Sequence, residues 1–404
     1  MSTSLSLLQN QIEKNRGVIR MMPLWIPRTF LPPGRRLKLH PDDLYPYGME
    51  KGGICERWFC STGVPGANGV DESTMSRFYL GTSDQSISFS EAIELLGNDL
   101  LGKETMDSIG TFQMFSKLYD YGTSLPLHIH PQEEYAKRVG MNQKPEAYYF
   151  PVELNSITYN HDYTYFGLIK GTTKEQFLEC IRNFNTRDNH ILSLSKAYKI
   201  KLGTGWYLPA GLLHAPASLV TYEPQFMSDS LVFYQNIIES KYVMSDRIND
   251  AIIPSGFEGD RAQYLLDIID WEGNFEDFGE KYFRAPAPVN DTEAMLADGY
   301  YEEWISYGIE EFSAKRLRVL PGRTVKIKDA SAYGFIMMQG YGKINGIEIN
   351  TPSIIRFGQQ TADEGFVIKA AAQEGVVIEN TSQYDEIVML KHFNGDNKEW
   401  KTVI

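Results

Sequence analysis

The stretch Gly122-Thr123-Ser124-Leu125-Pro126-Leu127-His128-Ile129-His130 decides the fold. Leu125 to His130 alternates with a period of two, the pattern of a β-strand. Side chains two apart in a strand project the same way, so His128 and His130 aim two imidazoles into one space. A second stretch runs from Gly203 to His214. Its apolar strand ends in the turn Pro209-Ala210-Gly211, and His214 follows at a fixed offset. Between the two lies Lys144-Pro145-Glu146, just before the apolar strand Ala147–Val152. A Glu146 carboxylate there completes a set of three imidazoles and one carboxylate. Such nitrogen and oxygen donors, with room left for water or substrate, suit one divalent metal. The chain has seven histidines and three of them fall in these two stretches, which argues against coincidence. Glu133 and Glu134 follow the first histidine pair more closely and are rival ligands; otherwise they belong to a solvated turn.

Further strands are read on either side. Thr111–Tyr121 alternates loosely, and Tyr163–Ile169 and the segments 190–202, 205–209, 216–223 and 230–237 follow. Two helix starts are legible. Ser88-Phe89-Ser90-Glu91 is a capping box opening a short helix over 89–97. Thr172-Thr173-Lys174-Glu175 is another, opening a helix to about Asn185. Residues 1–50 are rich in proline and basic residues and read as an extended arm, with edge strands, wrapped on the body. Residues 243–310 read as largely helical, most clearly over 259–271, where Ala262, Leu265, Leu266 and Ile269 share one face. From 311 the strands return, punctuated by Gly322, Gly340, Gly342, Gly346 and Gly375, as a second barrel-like unit. The expected organisation is therefore an arm with partial barrel elements (1–110), a metal-binding barrel (111–242), a helical segment (243–310) and a second, degenerate barrel (311–404).

The two histidine stretches resemble the signature motifs of the cupin superfamily, G-x5-H-x-H and G-x5-P-x-G-x2-H. The likeness narrows at His130-Pro131-Gln132-Glu133-Glu134-Tyr135-Ala136 and at Lys144-Pro145-Glu146-Ala147-Tyr148. These resemble the H-P-x-x-x-x-A and K-x-E-x-W/Y patterns of type I mannose-6-phosphate isomerases. Glu223, Ser228-Asp229 and Cys55-Glu56-Arg57-Trp58 fit that family's order. The likeness is dense over about 110–235. It implies a mostly β fold of two cupin (double-stranded β-helix, jelly-roll) barrels with a helical insertion. It also implies zinc as the metal on His128, His130, Glu146 and His214, with Fe²⁺, Mn²⁺, Co²⁺ and Ni²⁺ left open. Lys117, Lys144 and Glu223 match family active-site positions. Each also has a plain reading, as a solvated strand lysine, a lysine beside a ligand and a rim carboxylate. Two departures stand out. His128 replaces the family's usual glutamine, and Phe233 stands where the family has an arginine. Phenylalanine offers no donors to a phosphate.

The implied activity is aldose–ketose isomerisation of a hexose or hexose phosphate through a cis-enediolate, mannose 6-phosphate to fructose 6-phosphate being the family's reaction. An iron-dependent dioxygenase and a non-catalytic sugar-binding or sugar-sensing protein are the alternatives. Composition narrows the partners. Apolar residues make up 42 %, enough for a substantial core and against global disorder. A net charge of −13 repels phosphate backbones, so a small sugar is expected and nucleic acid is not. No apolar run is long enough for a membrane span, and the N-terminus lacks the apolar core of a signal peptide. A cytoplasmic protein without membrane partners is the expectation; self-association is left open. The three cysteines, Cys55, Cys60 and Cys180, read as reduced thiols, with a Cys55/Cys60 metal or disulfide site as the alternative.

Overall fold

A computed structural model describes residues 3–64, 74–82, 85–156, 158, 160–239, 241–242 and 245–402. The protein is mostly β, and its ladders are antiparallel. Two sheets form the half that carries His128, His130 and His214. One has seven strands in the order Phe283–Arg284, Gly205–Leu208, Glu146–Tyr149, Thr221–Phe226, Met114–Tyr119, Gly53–Phe59 and Leu24–Arg28. The other has five: Lys196–Lys199, Tyr163–Phe166, His214–Ala215, His128–Ile129 and Val232–Phe233. The other half has a nine-stranded sheet centred on Phe312–Val319, Ile387–Asn394 and Tyr333–Gln339. A four-stranded sheet, Thr324–Ile327, Val376–Asn380, Tyr341–Ile344 and Ile347–Asn350, accompanies it.

The seven-stranded sheet is buried on both faces, which explains why its alternation is weak in the sequence. In Met114–Tyr119 every residue is buried. Lys117 and Tyr119 line the cavity beside the histidines. On the opposite face Leu118 joins Tyr149, Tyr222, Ala314, Ile336, Met338, Val388 and Leu390 in an apolar layer between the two halves. Polar ties cross the same seam. Arg57 pairs with Asp363 at 2.7 Å and Glu364 at 2.8 Å, all three buried. His392 Nδ1 lies 2.9 Å from Ser116 Oγ and 3.1 Å from the Tyr222 hydroxyl.

The N-terminal arm supplies the expected edge strand, Leu24–Arg28, but differs in its opening helix and in an internal strand, Val18–Met22. It begins with a helix, Thr3–Lys14, and then supplies two strands that are part of the body. Val18–Met22 lies between Glu364–Val367 and Arg77–Tyr79 in the nine-stranded sheet, and Leu24–Arg28 closes an edge of the seven-stranded one. Pairing partners far along the chain override the irregular local pattern. The first helix start holds: Ser88 accepts from the Glu91 N–H, and the helix runs on to Leu101. The second capping box forms one residue later than expected, between Thr173 and Gln176. The segment expected to be helical is mixed. It contains helices Arg261–Asp267, Phe278–Lys281 and Thr292–Asp298, but Tyr300–Ser306 is a strand of the nine-stranded sheet. Residues 243 and 244 of that segment lie outside the described residues. Within the strand-rich unit read from 311, Ser353–Phe357 forms only a single bridge, at Ile355 to Leu39. Cys55 and Cys60 are free, buried thiols. Among the described residues no helix is long and apolar enough to cross a membrane.

Candidate metal centre and active site

The two short strands His128–Ile129 and His214–Ala215 pair directly, with His214 opposite His128. Their rings stand with centroids 4.1 Å apart, and the His130 ring is 5.0 Å from that of His214. Glu146 reaches in from the facing sheet. One donor atom from each of His128, His130, Glu146 and His214 lies within 4.8 Å of all the others, and all four residues are buried. Glu146 Oε2 is 3.0 Å from His130 Nε2, and Oε1 is 3.3 Å from His214 Nε2.

The outer nitrogens of the three imidazoles are all committed. His128 Nδ1 bonds the Pro126 carbonyl at 2.6 Å, His130 Nδ1 that of Ser230 at 2.6 Å, and His214 Nδ1 that of Leu212 at 2.8 Å. A carbonyl only accepts, so each Nδ1 carries the proton and each Nε2 presents a lone pair to the centre. Backbone carbonyls orient metal-binding histidines in this way. Burial, with His214 and His130 close by, holds the His128 imidazole well below its usual range. Burial and the Lys144 cation lower His130 to about 4. Neutral rings are the ligand form. Glu146 Oε1 and His214 Nε2 are buried and face each other with no proton between them, as two donors to one metal do. The residues therefore fit a divalent cation.

Beside this group lies an ionic chain. Lys144 Nζ is 2.7 Å from Glu146 and 3.1 Å from Glu223, and Lys117 Nζ is 3.0 Å from the same Glu223 oxygen. Lys117 and Glu223 are directly opposed on neighbouring strands. Burial pushes the Glu223 carboxyl up to about 7, with the Glu146 charge adding and the two lysines opposing. Lys144 moves upward: burial opposes its charge, but Glu146 and Glu223 outweigh that. Thus all seven residues singled out in the sequence meet in one place. The rivals Glu133 and Glu134 do not. They sit on a short exposed helix and pair with Lys137 and Arg138 one turn on.

Arg28 was not among the sequence candidates, yet it forms a wall of the cavity together with Glu56 and Asp229. It binds Glu56 through Nε and Nη2, both at 3.0 Å, and Asp229 through Nη1 at 2.8 Å and Nη2 at 3.0 Å. Glu56 also accepts from Trp58 Nε1 at 2.7 Å and from the Tyr121 hydroxyl. Phe30 follows on the same arm and packs on Phe233, centroids 5.2 Å apart. The arm therefore covers the metal-ligand pocket. Nothing local marks Arg28 among the basic residues of the arm; the one sequence signal was Asp229 itself, an acidic residue at a site lacking its expected arginine.

No protein-family profile matches the chain, and no curated protein does. Solved structures do. A protein from Archaeoglobus fulgidus, provisionally named a mannosephosphate isomerase, is 14 % identical with a TM-score of 0.62, covering 93 % of this chain and 97 % of its own. A variant of phosphomannose isomerase from Salmonella typhimurium is 12 % identical at TM-score 0.61, covering 94 % and 99 %. A zinc-bound mannose 6-phosphate isomerase is 12 % identical at TM-score 0.62, with the same coverage. Over nearly its whole length, the chain shares the fold of phosphomannose isomerases.

Proposed function

We propose that the chain is a metal-dependent aldose–ketose isomerase. In this reading the seven- and five-stranded sheets form one cupin barrel, which carries the site. The nine- and four-stranded sheets form a second barrel without a metal, and the helices between residues 246 and 298 are the insertion. The observation that carries the proposal is the juxtaposition of three pre-oriented imidazoles and Glu146 with a carboxylate held between two lysines.

His128, His130, Glu146 and His214 would hold the cation, with zinc the first expectation from the zinc-bound structural neighbour. When bound, it supplies Lewis-acid polarisation of vicinal sugar oxygens. The protein's own groups do the rest. The Lys117 and Lys144 ammonium groups face the position where negative charge develops on an enediolate oxygen, and stabilise it. Glu223 takes the proton from C2 of the aldose and returns it to C1. Its carboxyl, raised to about 7, sits near the pH at which one group serves as both base and acid. The Pro126, Ser230 and Leu212 carbonyls hold the rings, so little reorganisation is needed.

The test is turnover by purified, metal-loaded protein of mannose, lyxose, glucose, mannose 6-phosphate and glucose 6-phosphate, with solvent deuterium appearing in the product. Interconversion of at least one aldose and its ketose is expected. No turnover of any of them rejects the proposal, and oxygen uptake with Fe²⁺ bound would place the chemistry elsewhere.

A further inference from the structure

A second cavity, of about 260 Å³, adjoins the metal-ligand pocket. Arg28, Phe30, Asp229, Leu231 and Phe233 line both spaces, so they form the partition between them. The outer cavity is the adjoining space into which the far end of a sugar held at Lys117, Lys144 and Glu223 would extend. In a sugar phosphate that far end carries the phosphate.

The charges at the partition are already spent. A guanidinium has five N–H donors, and four directed bonds tie Arg28 to Glu56 and Asp229 at 2.8–3.0 Å. Glu56 and Asp229 neutralise Arg28 and, with Lys117 Nζ 3.8 Å from Glu56, leave no cation in excess at that corner. Among the residues lining the outer cavity, the remaining cation is Lys51, an exposed side chain. The other lining residues are mostly apolar, among them Phe30, Met141, Phe233, Ile248 and Ile252. A phosphate monoester carries a charge of about −1.5 to −2 and only acceptor oxygens. It would lie against Asp229 with no free guanidinium to meet it. A neutral sugar differs on both counts. Its hydroxyls donate, and Asp229 keeps acceptor capacity beyond its bonds to Arg28. Its C–H faces pack on the two phenylalanine rings.

We propose that the substrate is an unphosphorylated aldose, selected by the closed Arg28–Glu56–Asp229 cluster and the Phe30–Phe233 wall. This rests on the isomerase reading and narrows it.

Two measurements on the full-length, metal-loaded chain test it. The first compares kcat/KM for mannose, glucose and lyxose with that for mannose 6-phosphate and glucose 6-phosphate. The second is the shift in melting temperature with mannose, mannose 6-phosphate and inorganic phosphate. The best neutral sugar should exceed the best phosphate by at least ~10-fold in kcat/KM, about 1.4 kcal/mol of discrimination. It should also stabilise the protein where phosphate does not. Phe233→Arg should move the ratio toward the phosphorylated sugars; the wild-type ratio decides if that variant does not fold. Equal rates, or preference for a phosphate, overturn the inference and leave the isomerase standing. Stabilisation by mannose without turnover of any sugar keeps the ligand class and rejects the isomerase. Neither turnover nor stabilisation by mannose overturns both.

Discussion

Arg28 and Asp229 are 201 residues apart in sequence and meet in a two-pronged ion pair, with N–O distances of 2.8 and 3.0 Å, at the wall of the metal-ligand pocket. The pair joins the N-terminal arm to the segment that follows the strand Thr221–Phe226. Its third member, Glu56, lies on the strand beside the arm. Burial, the largest single influence on Glu56, favours its neutral form, yet Arg28 and Lys117 hold the carboxyl well below its usual range. The cluster is therefore charged, enclosed and dependent on every member.

Arg28→Gln should destabilise the protein by about 3–5 kcal/mol, because two largely enclosed carboxylates lose their cation. Asp229→Asn in the same chain should recover part of that loss. Urea unfolding of the two single variants and the double variant measures the coupling. Additive losses would show that the pair does not interact.

His214→Ala should abolish metal retention, since it removes the ring that faces both His128 and Glu146. Elemental analysis after dialysis should find about one divalent ion per wild-type chain and far less in the variant. Chelation of the wild type should lower its melting temperature, because a ligand of the native state is withdrawn. An unchanged metal content would remove the site.

Glu223→Gln should leave metal content unchanged and lower kcat by ~10²–10⁴-fold, the range for loss of a general base. Deuterium exchange at the sugar's C2 should fall in parallel. Retained exchange would move proton transfer to another group.

His392 gives a pH signature separate from the site. Burial depresses its imidazole to about 3, against an ordinary value near 6.5. Between those values the unfolded chain binds a proton that the native state refuses. The stability is whole above about pH 6.5 and is lost progressively as pH falls toward 3. One proton gives at most about 1.4 kcal/mol per pH unit. Between pH 7 and 5 the wild type should therefore lose about 2 kcal/mol more than His392→Gln. Equal losses by urea titration would show that this ring is not the source.

The four expected ligands were legible because each sits in a local pattern. The period of two puts His128 and His130 on one side, and the turn at Pro209–Gly211 sets the offset of His214. The shifted capping box shows the limit of such signals. Thr172 and Glu175 have the right spacing, but Thr173 with Gln176 has it too, and the latter pair forms. Residues 111–121 alternated poorly because their strand is covered on both faces, by the cavity and by the layer around Leu118.

By itself, then, the sequence determined the mostly β character and the grouping of imidazoles, since both follow from side-chain direction over a few residues. Only the tertiary structure decided that Arg28 and Phe30 wall the pocket, that Glu223 lies between two lysines, and that Glu133 and Glu134 stay in solvent. These depend on which strand lies beside which across hundreds of residues. Such pairings are chosen by the burial of whole sheets and leave no periodic trace in the segments they join.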